Sequence, residues 1–142
     1  MDESDIEIAK RGYAVWNEVY RTGDVELVRP FLEEHWAADA VFVPAGILPE
    51  SQPVHGVDGL MRFTLEQMKA FADGSMWIEP LEFIDRGDAL VVRYRFGGTA
   101  NHTGLPVEWE FAHVFTQRHG KTVRCDVYPS LAEALADVGA AD

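Results

Sequence analysis

Apolar side chains recur every three or four residues in the first half of the chain, and this spacing predicts helices. The first apolar stripe consists of Ile6, Ala9, Tyr13, Trp16 and Tyr20. It predicts a helix from about residue 5 to about residue 21, which ends at Gly23. A shorter helix is predicted after Asp24, a third over about residues 57–72, and a short last one after Ser130.

The second half of the chain alternates between apolar and polar residues, a period typical of β-strands. Strands are predicted at residues 76–84, 89–96, 107–117 and 122–128, with a short earlier one at residues 41–43. Short turns between consecutive strands predict an antiparallel meander. The segment 46–56 contains Pro49 and Pro53 and is predicted to be a loop. Helices followed by a run of strands indicate an α+β domain.

Length and charge narrow the class of protein. The chain has 142 residues, which suits a single domain, residues 1–142, with a core large enough to fold without disulfides. Its 24 acidic and 12 basic residues give a formal net charge of −12. Because such a charge repels phosphate groups and anionic lipids, we expect neither nucleic acid nor a membrane as a partner.

Cysteine usage and short motifs bear on the compartment and on cofactors. Cys125 is the single cysteine and cannot form an internal disulfide. Since no secretory leader is apparent either, the sequence predicts a cytoplasmic protein. The spacings HxH, HExxH and CxxC and a phosphate-binding glycine-rich loop do not occur in the sequence. We therefore expect no metal and no cofactor.

Several short motifs follow one another in a characteristic order. They are Trp16-Asn17, Thr22-Gly23-Asp24, the segment 36–41, the segment 55–59 and the segment 120–135. This order resembles that of SnoaL-like proteins, members of the nuclear transport factor 2-like superfamily. The resemblance implies a cone-shaped α+β fold, in which a curved antiparallel sheet wraps around N-terminal helices. It also implies a deep pocket at the open end of the cone.

The superfamily includes ketosteroid isomerase, limonene epoxide hydrolase and polyketide cyclases, so the fold does not select the chemistry. Aligned with the isomerase, the chain carries Trp16, Val43 and Ala112 where that enzyme has its catalytic tyrosine and two aspartates. None of these side chains can exchange a proton. Isomerase chemistry by that mechanism is therefore rejected.

The chain matches the catalytic residues of the other two enzymes, the epoxide hydrolase and the polyketide cyclases, only in part. Limonene epoxide hydrolase has aspartates where this chain has Arg95 and Val127, and Asp126 enters the pocket only if the register shifts by one residue. SnoaL-type polyketide cyclases carry a histidine on the penultimate strand and an acidic residue on the last strand. His113 resembles that histidine, whereas the acidic partner again falls near Val127.

Either face of the strand at residues 89–96 could line the pocket. Arg93 and Arg95 alternate with Tyr94 and Phe96. Facing the pocket, the arginines would form a cationic site for a carboxylate, enolate or phenolate. Facing outward, they would pair with acidic side chains while the rings fill the core. The resemblance favours the pocket, so both arginines are predicted as catalytic, anion-stabilising residues.

His113 presents a similar choice on the next strand. It shares a face with Trp109, Phe111 and Phe115, and this face either lines the cavity or forms an aromatic outer surface. An aromatic outer surface predicts a homodimer. In the cavity, an imidazole that titrates near neutral pH can move protons. His113 is predicted as the catalytic acid or base, with a structural, hydrogen-bonded histidine as the alternative.

Three further residues are predicted to bind substrate. Trp16 and Tyr20 would form aromatic walls of the pocket. Glu110 lies on the other face of its strand from His113, as either a pocket carboxylate or the outer partner of an arginine. Together the residues predict a cofactor-free enzyme that transfers protons in a cyclisation, isomerisation or dehydration of a small apolar molecule, such as a polyketide or terpenoid. The alternative is a ligand-binding or dimeric assembly module without catalysis.

Overall fold

The computed structural model describes residues 3–44 and 51–140. Its helices are α1 (Glu3–Thr22), a 3-10 helix (Val25–Val28), α2 (Arg29–His35), α3 (Gly56–Met68) and α4 (Leu131–Ala140). Gly23 follows α1 with a φ of 78°, and the backbone N–H of Glu26 donates to the side chain of Asp24. At the start of α4 the N–H of Glu133 donates to Oγ of Ser130, which in turn donates to Oε2 of Glu133.

The described strands form one six-stranded sheet in the order β2-β1-β6-β5-β4-β3. They are β1 (Trp36–Val43), β2 (Val54–His55), β3 (Trp77–Asp85), β4 (Ala89–Thr99), β5 (Pro106–Arg118) and β6 (Lys121–Tyr128). Neighbouring strands are antiparallel except β1 and β6, which run parallel. Strands β3 to β6 form the predicted meander.

Several elements differ from the prediction, among them β4, which continues past residue 96 to Thr99. Strand β1 begins earlier than expected, and β2 lies in a segment predicted to be a loop. The remainder of that loop, residues 45–50, lies outside the described residues. Helix α3 ends at Met68, before residue 72, because the chain turns back to the sheet. There the N–H of Ala72 donates to the carbonyl of Thr99, at 2.8 Å.

Helices cover both faces of the curved sheet. Helices α1 to α3 pack on the face that we call the inner face, where α1 meets β3 and β4 through Tyr13, Tyr20 and Tyr94. Helix α4 packs on the opposite, outer face, where Ala134 contacts a cluster that includes Ala112. Even-numbered residues of β4 and odd-numbered residues of β5 therefore point inward along most of each strand.

Two glycines of β4 permit close contacts that no side chain could. A Cβ atom on Gly97 would lie 2.2 Å from the backbone oxygen of Val107, on the paired strand β5. A Cβ atom on Gly98 would lie 2.8 Å from the ring of Phe71. Gly97 therefore permits a close approach of β4 and β5, and Gly98 permits a close approach of β4 and the segment after α3.

The side chain of Asn17 links α1 to β3. Its Nδ2 donates to the carbonyl of Ile78 at 2.8 Å, and the N–H of Ile78 donates to its Oδ1 at 2.9 Å. One amide thus satisfies both backbone groups of a single strand residue. This pair of hydrogen bonds fixes the position of α1, which carries much of the site described below.

Replacing this amide should destabilise the fold. We expect Asn17→Ala to lower the free energy of unfolding by about 2 kcal/mol, because both backbone groups of Ile78 lose their partner. Asn101→Ala is the matched control, since the exposed Asn101 donates a single bond, to the carbonyl of Lys69. Asn101→Ala should lower the free energy of unfolding by less than about 1 kcal/mol. Urea denaturation measures this quantity for both variants. Equal losses in the two variants would contradict the linking role.

Candidate functional site

A cavity of about 120 Å³, partly open to the surface, lies between α1 to α3 and the inner face of the sheet. Aromatic side chains form most of its wall: Tyr13, Trp16, Tyr20, Phe31, Trp36, Phe42, Phe63, Tyr94, Phe96 and Phe115. A volume of this size encloses a molecule of about one ring, and a larger molecule would extend through the opening. The wall predicts a flat, apolar occupant.

His113 is an enclosed ionisable group of this wall. Its Nδ1 lies 2.8 Å from the hydroxyl oxygen of Tyr13. Its ring stacks on that of Tyr94, with the centroids 4.0 Å apart and the planes 14° apart. Phe115 and Phe42 contact the imidazole from other sides, with centroid distances of 5.3 and 6.5 Å. The ring is therefore held in one orientation by contacts from α1, β1, β4 and β5.

Burial controls the charge of this group. It lowers the pKa of His113 to about 3, because desolvation penalises the imidazolium. It also raises the pKa of Tyr13 and of Tyr94 well above the usual value for a phenol. At neutral pH the imidazole and both phenols are therefore uncharged. This differs from the expectation that His113 titrates near neutral pH.

The bond to Tyr13 determines which nitrogen of His113 carries the proton. If the Tyr13 hydroxyl donates to Nδ1, both groups are satisfied and Nε2 holds the hydrogen. In the reverse arrangement the proton of Tyr13 has no acceptor among the described residues. We assign the first arrangement for this reason. The Nε2–H of His113 then has no partner in the described part of the chain and can donate to a molecule in the cavity.

Arg93, Arg95 and Glu110 lie on the outer face, which corrects the expectation that they line the pocket. Four ion pairs with N···O distances of 2.6–3.2 Å join Arg93 to Glu82 and Glu110, and Arg95 to Glu79 and Glu108. The rings of Tyr94 and Phe96 occupy the inward positions, because they fill the space against α1 while buried guanidinium groups would lose their hydration.

The outer face therefore does not have the composition from which a homodimer was predicted. Trp109, Phe111 and Phe115 share the inner side of β5 with His113. The corresponding outer positions carry the ion pairs of the two arginines and the apolar cluster covered by α4. The aromatic outer surface on which that prediction rested is not found on these strands.

The last strand contributes no carboxylate to the cavity. Val127 lines it, whereas Asp126 points to the outer side and pairs with Arg124 at 2.9 Å. The one-residue register shift that would bring Asp126 inward does not occur. Ala112 packs on α4 at the outer face, whereas the next residue, His113, occupies an inward position.

The family model of the SnoaL-like domain matches residues 10–125. The chain belongs to the SnoaL-like family. No curated protein matches it. The predicted α+β fold of the nuclear transport factor 2-like type is confirmed by this match and by similar solved structures.

Three solved structures illustrate the fold of this SnoaL-like chain. An NTF2-like protein of unknown function from Burkholderia pseudomallei is 23% identical, with a TM-score of 0.70 over 95% of this chain and 97% of that one. TerC, co-crystallised with polyporic acid, is 23% identical, with a TM-score of 0.69 over 94% and 97%. A protein with a ketosteroid isomerase-like fold from Catenulispora acidiphila, in complex with trimethylamine, is 17% identical, with a TM-score of 0.64 over 89% and 90%.

The structure of this SnoaL-like chain places Trp16, Tyr20 and His113 together in the cavity wall. Sequence reasoning missed Asp5 and His35, which also line the cavity. Helical spacing could have revealed Asp5, which precedes Ala9 by one turn on the same stripe. His35 offered no such signal, since it lies at the end of a short helix.

Neither a metal site nor a membrane span is found in the described ranges. No three His, Cys, Asp or Glu side chains come together there in a way that could hold a metal ion. No helix in these ranges is long and apolar enough to cross a membrane.

Proposed function

We propose that this SnoaL-like protein binds a small, largely apolar ketone in its cavity and promotes loss of a proton from the carbon beside the carbonyl. The observation that carries the proposal is the neutral His113 imidazole, held by Tyr13 and Tyr94 with its Nε2–H available to the cavity. Enolisation of this kind is the shared first step of cyclisations, isomerisations and dehydrations of polyketide-like compounds.

His113 acts in this proposal as a hydrogen-bond donor. An imidazole with a pKa of about 3 is a poor proton acceptor at neutral pH, but its N–H can stabilise the oxygen on which negative charge develops. The donor is already oriented and lies in an apolar wall, where such a bond is stronger than in water. The proton of the ketone moves to a second group, for which we propose the carboxylate of Asp5 in the same cavity wall.

Acetophenone tests both parts of the proposal, because it has one ring, one carbonyl and exchangeable methyl protons. We expect it to bind more tightly than ethylbenzene, which lacks the oxygen, and to exchange its methyl protons for deuterium faster in the presence of the protein. Proton NMR in D₂O measures the exchange, and isothermal titration calorimetry measures the binding.

Variants assign the roles. His113→Leu in a Tyr13→Phe background removes both partners of one hydrogen bond and so leaves no unpaired group. It should slow the exchange by about 100-fold and weaken acetophenone binding by about fivefold. Asp5→Asn should slow the exchange and leave the binding nearly unchanged. If the double variant exchanges and binds like the wild type, the proposal is wrong.

A second candidate function is ligand binding without catalysis. The inward residue of β6 where related cyclases carry an acidic side chain is Val127, and the imidazole is not basic. A purely binding protein would bind acetophenone in preference to ethylbenzene but would leave its exchange rate at the value for buffer alone. The exchange experiment therefore separates the two functions.

A further inference from the structure

Two hydroxyl groups of the cavity have no part in the function proposed above. Tyr20 on α1 and Tyr94 on β4 both line the cavity and are 6% and 3% exposed. Neither hydroxyl makes a hydrogen bond to another residue in ranges 3–44 and 51–140, and neither oxygen is a fully buried atom, so both reach the open space of the cavity. Only a molecule that enters the cavity can therefore serve as their partner.

The other tyrosines of the chain show that this is unusual. The hydroxyl of Tyr13 is paired with Nδ1 of His113, and that of Tyr128 donates to Asp137 on the outer face. Hydroxyls that line a cavity and lack a protein partner are satisfied by water or by a bound molecule. The hydroxyls of Tyr20 and Tyr94 can therefore make polar contacts with a ligand that displaces this water.

The two hydroxyls belong to one region of the cavity. Tyr20 and Tyr94 belong to the same buried cluster, which also contains Tyr13, and line the same cavity. The ring of Tyr94 is stacked on that of His113 at 4.0 Å. A molecule that accepts a hydrogen bond from His113 therefore lies close to Tyr94 as well.

We propose that Tyr20 and Tyr94 form a second polar contact, which selects ring ketones that carry another oxygen atom, as a hydroxyl or a second carbonyl. The inference rests on the proposed function, since it assumes that His113 binds the first carbonyl. Each tyrosine can both donate and accept a hydrogen bond, so both kinds of oxygen can be recognised. The preferred ligands are then doubly oxygenated ring compounds.

The test compares acetophenone with its 2′-, 3′- and 4′-hydroxy isomers by isothermal titration calorimetry. We expect at least one isomer to bind the wild type about tenfold more tightly than acetophenone does, as one additional hydrogen bond provides. Tyr20→Phe and Tyr94→Phe keep the rings and should each reduce this preference to threefold or less. Each variant's affinity for the hydroxy isomer is compared with its own affinity for acetophenone, so that a general change in the cavity cancels.

Tyr128→Phe is the matched control, because it removes a hydroxyl from the outer face and should keep the full preference. The inference is overturned if no hydroxy isomer binds more tightly than acetophenone, or if the preference survives in the Tyr20→Phe/Tyr94→Phe double variant. In either result acetophenone can still bind better than ethylbenzene. The proposed function is then supported, although this inference is wrong. If acetophenone binds no better than ethylbenzene, the proposed function fails and this inference fails with it.

Discussion

Acidification from pH 7 to pH 5 is expected to lower the free energy of unfolding of the wild-type protein by about 2 kcal/mol more than that of His113→Gln. Burial lowers the pKa of His113 to about 3 in the folded state, whereas an imidazole in the unfolded chain has its ordinary value of 6.5. Between these values the unfolded state binds more protons, so acid favours unfolding. The contribution of the neutral His113 to the free energy of unfolding is complete above about pH 6.5 and is lost as the pH falls toward 3.

Urea denaturation at pH 5, 6 and 7 measures this difference. Glutamine does not titrate, and its side chain can still accept the hydrogen bond from Tyr13. His102→Gln is the control, because His102 lies in an exposed turn and is surrounded by water in both states. This variant should lose stability with acid as the wild type does. A His113→Gln profile parallel to that of the wild type would show that the imidazole is not buried as described.

Gly97→Ala is expected to lower the free energy of unfolding by about 3 kcal/mol or more. The added methyl group would lie 2.2 Å from the oxygen of Val107 and 3.1 Å from the Cα of Glu108. Both are backbone atoms of the paired strand, so they cannot move aside without disturbing the β4–β5 ladder. Because β4 and β5 carry Tyr94 and His113, the variant should also weaken acetophenone binding.

Gly139→Ala is the matched substitution in α4. A Cβ atom at Gly139 would meet no atom within 4 Å, and the residue has no positive φ. Alanine favours a helix more than glycine does, so this variant should gain up to about 1 kcal/mol. Thermal denaturation of the two variants compares them directly. Similar melting temperatures for both would contradict the close contact at Gly97.

Most of the elements could be predicted from periodicity. The apolar stripe from Ile6 to Tyr20 and the alternation from residue 107 to residue 117 both correspond to observed elements, α1 and β5. The two-residue strand β2 could not be found in this way, because it is too short to show a period. The early start of β1 depends on its pairing with β6, a contact between residues distant in sequence.

Which face of each strand points inward was harder to predict than where the strand lies in the sequence. Alternation shows that Arg93 and Arg95 share one face and that Tyr94 and Phe96 share the other, but not which face lies inside. The apolar core favoured the rings, and the family alignment favoured the arginines. The structure follows the core, because partners for the arginines come from β3 and β5, which sequence spacing alone does not reveal.

The properties of the site residues depend on contacts that the sequence does not contain. His113 could be singled out as the polar residue of an aromatic face. Its low pKa could not, because this results from burial among side chains of α1, β1 and β4. The unpaired hydroxyls of Tyr20 and Tyr94 are likewise apparent only once all neighbours are placed.

The link between Asn17 and Ile78 has a consequence beyond the position of α1. Strand β3 is an edge of the sheet, and exposed edges can recruit strands from other molecules and start aggregation. The amide of Asn17 occupies the two backbone groups of Ile78 that a foreign strand would need. One side chain therefore blocks intermolecular strand pairing at this point, and Asn17→Ala would open the edge to it.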